Sequence, residues 1–263
     1  MSWANVLENY ARLKRPEREL PDGVWVASDE RTLTIFDGYE KAKYHMLVMP
    51  RDPFRLSGGA TVPSSHLTNL RALLKSPHAL EVLQALRQAG EEVSDMIRDE
   101  MHKSEGWSWD VRMGFHAVES MRHVHLHVIS SDMISPKLKN KKHWNSFHPT
   151  LGYFLHIDDV IHDVEGGLLE PDSTKSYEAL LKCDLVSHYP PHRTFATIPK
   201  LKEHLEAEFE REGQRRRASQ KQESGTPDSG GAKRGGHEGE GGGDANGKGK
   251  RRRTASPAAQ QSR

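Results

Sequence analysis

Hydrophobic positions change period several times along the chain, and each change marks an element. Trp3, Val6, Leu7, Tyr10 and Leu13 recur at helical spacing behind a capping Ser2, which predicts a short N-terminal helix docked by its apolar stripe. Residues 24–26 and 32–36 read as strands around a turn at 28–31, and 45–50 as a third. From Leu67 to about Met101 the pattern is helical, with apolar residues at 70, 73, 74, 80, 83, 86, 93 and 97 and a break expected at Pro77. Residues 123–129 alternate with period two and are predicted to pair as a strand with 111–116. A small terminal unit over about 175–212 ends in a helix from Pro199 to 210. This order predicts an α+β fold, an antiparallel sheet with helices packed on it plus an appendage.

Past Phe209 the only apolar residues other than glycine and proline are alanines, and 213–263 hold 12 of the 22 glycines. Such a segment buries too little apolar surface to offset its ordering entropy, so it is expected to be disordered. It carries 12 Lys or Arg against 5 Asp or Glu, net +7, which leaves 1–212 at −6 within a whole-chain charge of +1. Any nucleic-acid contact by the body must therefore be a local patch. Arg215–Arg217 and the run from Lys248 to Arg253 have the composition of nuclear-import or polyanion-binding segments. No stretch approaches the length of a membrane span, the N-terminus lacks a signal-peptide pattern, and Cys183 has no partner for a disulfide. An intracellular protein is expected.

The chemistry concentrates in His-Val-His-Leu-His-Val-Ile at 123–129, where a strand would place His123, His125 and His127 on one face. Imidazole suits nucleophilic and acid–base work near neutral pH. Metal binding and an inert polar face are the alternatives. Histidines spaced about 6.6 Å apart along a strand converge poorly on one ion, which favours phosphate chemistry. The spacing is that of histidine-triad nucleotide hydrolases and transferases.

Gly114-Phe-His116, Ser120-Met121, the triad through Ser130, and Ser135-Pro-Lys-Leu-Lys-Asn-Lys-Lys-His-Trp-Asn-Ser-Phe147 together resemble the aprataxin branch of that superfamily. The likeness runs from about Trp3 to Glu210 and implies a histidine-triad fold. It also implies removal of AMP from 5′-adenylated DNA ends. His125 would be the nucleophile, with His127, His116, Ser120 and Lys139 at the phosphate and His123 buttressing the row. The nucleophile's other ring nitrogen must be held by an acceptor, expected to be a carbonyl near His127. Asp37 would bind ribose, with Lys41, Lys43 and His45 beside the nucleotide. Leu33 and Ile35 could face adenine or simply form strand core. Trp3 would stack on the terminal base pair, Tyr10 being the poorer choice, and Lys137, Lys141 and Lys142 would hold DNA phosphates.

The same resemblance implies a C-terminal zinc finger, and here the chain departs from it. His204 and Glu208 stand at the i, i+4 spacing that two ligands on one helix require, and Cys183 fits the finger's start. Val186 stands where a second cysteine belongs. Cys183, His188, His204 and Glu208 remain as a possible zinc set, with His192 as a substitute, against a degenerate finger that folds without metal. The expected organisation is a catalytic domain over 1–165, the finger-like unit over 175–212 and the tail over 213–263. The resemblance implies a nuclear enzyme acting as a monomer on adenylated DNA ends, with no membrane association. It matches the form lacking an N-terminal phosphopeptide-binding domain. A small-molecule histidine-triad hydrolase and a non-catalytic nucleic-acid adaptor are the rival functions.

Overall fold

The computed structural model describes residues 3–168 and 177–224, with backbone only for the last four. A single 3-10 turn at Trp3–Asn5 leads into α1 (Val6–Ala11), and Pro16 opens the short α2 (Pro16–Glu19). Strands β1 (Trp25–Ser28), β2 (Thr32–Phe36) and β3 (His45–Pro50) follow, then a small hairpin of β4 (Phe54–Arg55) and β5 (Thr61–Val62). Asn69 caps α3 (Leu70–Leu74) by accepting from the Ala72 N–H. After the break around Pro77, α4 (Ala79–Glu105) runs for 27 residues. β6 (Val111–His116), β7 (Leu126–Ser130), α5 (Lys141–Asn145), β8 (Phe154–His156) and α6 (Ile157–Glu165) complete the central body. Beyond it come α7 (Tyr177–Leu180), β9 (Leu185–Val186), β10 (Thr194–Phe195) and α8 (Ile198–Ser224).

Six strands form an antiparallel sheet in the order β1-β2-β3-β7-β6-β8. Successive side chains of a strand point to opposite faces, and β3 shows what each face meets. Met46 and Val48 join Leu126, Val128 and the apolar stripe of α4, including Leu83, Leu86, Val93 and Ile97, in the main core. Leu47 and Met49 pack with Leu33 and Ile35 under Leu7 and Ala11 of α1. Leu33 and Ile35 are therefore strand core, and Tyr10 packs against the same cluster. A third cluster joins Ile129, Trp144, Phe147 and Phe154 to Leu185, Leu201 and Leu205 of the terminal unit.

Two boundaries differ from expectation. β7 begins at Leu126 rather than at 123, because His123 adopts φ 96°, outside the strand region. The terminal helix runs on past residue 212 to Ser224, so 213–224 are helical rather than tail. Long-range contacts hold this extension. A Cβ at Gly213 would stand 3.0 Å from the Trp107 indole, Phe209 packs on Trp107 and Trp109, and Arg217 donates to the Glu105 carbonyl. The remainder of the expected tail, with the 248–253 run, lies outside the described residues. None of the helices among the described residues is long and apolar enough to cross a membrane.

Candidate active site

The site forms on the sheet face away from α4. His127 of β7 lies opposite Leu47 of β3 on one side and Gly114 of β6 on the other. Gly114 is required there: a Cβ would come within 2.6 Å of the Leu155 carbonyl and of the Phe154 ring. His45 opens β3 and His116 closes β6, so three neighbouring strands each deliver an imidazole. Phe147, just beyond α5, supplies their common floor, with ring centroids 4.5 Å from His116, 5.1 Å from His127 and 5.2 Å from His45.

Hydrogen bonds fix which nitrogens carry protons. His125 Nδ1–H donates to the His123 carbonyl at 2.8 Å, which leaves the lone pair on Nε2. The acceptor is thus two residues before His125, not near His127 as expected, because the turned backbone of His123 aims its carbonyl back. His123 in turn donates from Nε2 to the Pro50 carbonyl at 2.7 Å and anchors the row to the end of β3. The Lys41 backbone N–H donates to His45 Nδ1 at 3.3 Å, so the His45 proton sits on Nε2. That Nε2–H faces His127 Nδ1 at 3.0 Å and Asp37 Oδ2 at 3.4 Å. His127 is then protonated on Nε2, a buried donor with no partner. His116 Nε2 is likewise buried and unpartnered.

Burial keeps these rings neutral. Desolvation, then the nearby charge of Asp37 acting the other way, takes His45 down to about 4. Desolvation and the neighbouring His125 and His45 take His116 down to about 3. His127 is pushed well below its ordinary value by burial and then by His116, and His123 is lowered chiefly by burial. Lys41 is buried beside the cluster, and desolvation lowers its pKa against the pull of Asp37. Its ammonium rests on the Tyr39 carbonyl.

The other expected residues divide. Asp37 is brought to the histidines, and its Oδ1 accepts from the Tyr39 N–H at 2.7 Å, which shapes the loop. Lys43 is not: its ammonium pairs with Glu105 and lies over the rings of Trp109 and Phe209. Ser120 is exposed on the 117–122 loop, where it lines an open cavity of about 550 Å³ with Asn69, Arg71 and Arg122. Trp3 is 52 % exposed at the chain's first turn, next to the Ala4 carbonyl that accepts from Arg122 N–H at 2.7 Å. Lys137 is a clasp on the Asp37 loop, bonded to the Gly38 carbonyl at 2.9 Å and to Glu40 at 2.6 Å. Lys141 lies 3.8 Å from Asp184, while the side chains of Lys139 and Lys142 are exposed. Phe147 was missed as a site residue because its segment reads first as a basic run.

The four expected zinc donors do not converge. Among the described residues the metal-compatible group is Asp37, His45 and His127, whose ligand atoms lie within 4.8 Å of one another. His204 Nε2 instead meets Ser187 Oγ at 3.0 Å, and Glu208 pairs with Arg211 at 2.9 Å. Cys183 Sγ turns back onto the Ala179 carbonyl at 3.6 Å. His188 stacks on Trp144 with both ring nitrogens unpartnered, and burial takes it down to about 3. His192, the substitute, donates to the Ser187 carbonyl at 3.1 Å.

This sheet with its row of buried imidazoles defines a histidine-triad protein. Residues 5–143 match the family described as scavenger mRNA decapping enzyme C-term binding, and 150–211 match the C2HE / C2H2 / C2HC zinc-binding finger. Aprataxin of Gallus gallus is 40% identical over 184 residues, 69% of this chain and 50% of its own. The aprataxin-like protein of Saccharomyces cerevisiae is 32% identical over 226 residues, 80% of this chain and 97% of its own. The solved structure of the aprataxin ortholog Hnt3 in complex with DNA superposes with a TM-score of 0.58 at 27% identity, covering 80% of this chain and 96% of that one. The chain belongs to the aprataxin-like family, and it spans about half the length of the chicken relative.

Proposed function

We propose that this protein is a hydrolase that removes AMP from DNA 5′ ends left adenylated by abortive ligation, acting in single-strand break repair. The observation that carries the reading is the His125 ring. Its Nδ1–H is held by the His123 carbonyl, its Nε2 lone pair is free, and the unpartnered His127 Nε2–H stands beside it. Nε2 would attack the AMP phosphorus in line, and the bond to the bridging oxygen would break with its electron pair leaving on the DNA 5′-phosphate. Water would then cleave the phosphorus–nitrogen bond of adenylyl-His125, releasing AMP and restoring the imidazole. His127, His116, Ser120, Lys139 and the buried Lys41 would hold phosphate charge, and Asp37 the ribose hydroxyls.

The DNA part of the reading is supported by exposed Trp3, by Lys139 and Lys142, and by the structural relative solved with DNA. Action as a monomer and nuclear localisation belong to the same proposal. The test is incubation with 5′-adenylated nicked DNA, wild type beside His125→Ala. AMP release that yields a ligatable 5′-phosphate, and is lost in the variant, supports the assignment. A folded wild type that cleaves an adenosine phosphoramidate but not adenylated DNA would leave a small-molecule hydrolase instead.

A further inference from the structure

We propose that the finger-like unit of this chain is held without zinc, with Ser187 as its hub. Ser187 follows Val186, where the finger pattern asks for its second cysteine, and it is fully buried. Every polar atom of Ser187 is engaged. Its N–H donates to the Arg193 carbonyl at 2.8 Å and closes the β9–β10 hairpin. Its carbonyl accepts from His192 Nδ1 at 3.1 Å, and its Oγ accepts from the Tyr189 N–H at 3.1 Å. The same hydroxyl donates to His204 Nε2 at 3.0 Å and so ties the hairpin to α8.

This is the connection a metal makes in a finger, hairpin to helix, built from hydrogen bonds. Both positions a metal would use on α8 are already satisfied. His204 is bonded through Nε2 and lies over the Phe195 ring at 4.9 Å, and the Glu208 carboxylate sits 3.7 Å from His204 Nδ1 and on Arg211. A His204 coordinating through Nε2 would have to give up the Ser187 hydroxyl, which would keep only its bond from the Tyr189 N–H, so the hairpin would lose its hydrogen bond to α8.

A second set of contacts fastens the unit to the catalytic body. Trp144 Nε1–H donates to the Val186 carbonyl at 3.0 Å, and its ring stacks on His188 at 5.5 Å. The Asn145 amide reaches the carbonyls of Leu180, Leu181 and Cys183, the last at 2.9 Å. Leu185, Leu201 and Leu205 add a shared apolar core with Ile129 and Phe147. Hydrogen bonds and burial thus tie the hairpin to α8 and to the catalytic body, while His188 keeps both ring nitrogens unpartnered against Trp144.

The test uses the full chain, purified free of any histidine tag. It is exchanged against buffer with one equivalent of zinc chloride, desalted, and assayed for bound metal by mass spectrometry. Thermal unfolding is then followed with and without EDTA, for wild type, Cys183→Ser and Ser187→Ala. The proposal expects zinc far below stoichiometry, melting temperatures unmoved by EDTA or Cys183→Ser, and a fall of a few degrees or more for Ser187→Ala. One retained equivalent of zinc, a melting temperature lowered by EDTA, or a Ser187→Ala protein as stable as wild type would each overturn it. Should Ser187→Ala fail to fold, the metal content and the Cys183→Ser protein still decide.

Discussion

Acid should destabilise this protein well above the pH at which carboxylates protonate. His45, His116 and His188 are held neutral by burial, at about 4, 3 and 3, against an ordinary value of 6.5. A depressed folded-state pKa means that the unfolded chain binds more protons than the native one. The stability is fully present above pH 6.5 and is lost as pH falls toward the folded values. At pH 5.5 each unfolded histidine gains about 1.4 kcal/mol from protonation that its native counterpart does not share. The three together remove about 4 kcal/mol between pH 8 and 5.5, and His127, also lowered, acts in the same direction. For a folded body of this size that is a melting temperature lower by about 8–16 °C.

The assay is thermal unfolding by circular dichroism at pH 8, 6.5 and 5.5, wild type beside His188→Phe. Phenylalanine keeps the ring against Trp144 and removes two buried nitrogens that have no partners. It should leave stability at pH 8 unchanged or slightly raised. It should also remove about 1.4 kcal/mol of the pH dependence at pH 5.5. A wild type that melts within about 3 °C at pH 8 and 5.5 would refute the reasoning. So would a His188→Phe protein as acid-sensitive as wild type.

Three further substitutions probe the site. His45→Phe preserves the ring against Phe147 but deletes the donor to His127 Nδ1, so kcat for adenylated DNA should fall about tenfold to a thousandfold with KM little changed. A kcat within twofold of wild type would show that His45 does not set the His127 tautomer. Gly114→Ala places a methyl 2.6 Å from the Leu155 carbonyl and should cost about 1–3 kcal/mol by overpacking, read as a lower melting temperature, with an unchanged value counting against the close approach. Trp3→Ala should raise KM for nicked adenylated DNA about 5- to 150-fold, the equivalent of about 1–3 kcal/mol of stacking. Cleavage of an adenosine phosphoramidate should be untouched; equal losses on both substrates would instead place Trp3 in the fold.

Much of this architecture could be read from local pattern. Strands β2, β3 and β6 fall where alternation and β-branched residues put them, and the break before α4 falls around Pro77. What pattern could not show is geometry set by distant groups. The left-handed turn at His123 interrupts a perfect alternation, and it is held by distant groups: its ring bonds the Pro50 carbonyl and its N–H the Thr68 carbonyl. Lys43 looks like a nucleotide contact in sequence, yet Glu105, 62 residues away, takes its charge. Past Phe209 α8 contains no large apolar residue, and Gly213 and Arg217 instead meet Trp107 and Glu105, more than a hundred residues earlier in the chain. Phe147 is hidden for the converse reason: charge in its segment masks an aromatic ring that touches three histidines.

The buried nitrogens without partners separate the two histidine clusters by their use. An unpaired buried polar atom costs about 1–3 kcal/mol, so a fold tolerates it only where something offsets the cost. At the sheet, His127 Nε2 and His116 Nε2 belong to rings only 4.4 Å apart, beside the free face of His125 and a buried lysine. Under the proposed function one phosphate placed there would satisfy both, which would recover the cost and leave the site preorganised for developing charge. At the finger, His188 has two such atoms, but its ring lies flat on Trp144 and its neighbours His192 and His204 are already bonded to Ser187. His192 and His204 converge on Ser187 rather than on the His188 nitrogens, so stacking on Trp144 is what offsets the cost at His188. Replacement by phenylalanine should therefore be tolerated at 188 and not at 127, and that contrast tests whether an orphaned imidazole marks a binding site or merely a buried ring.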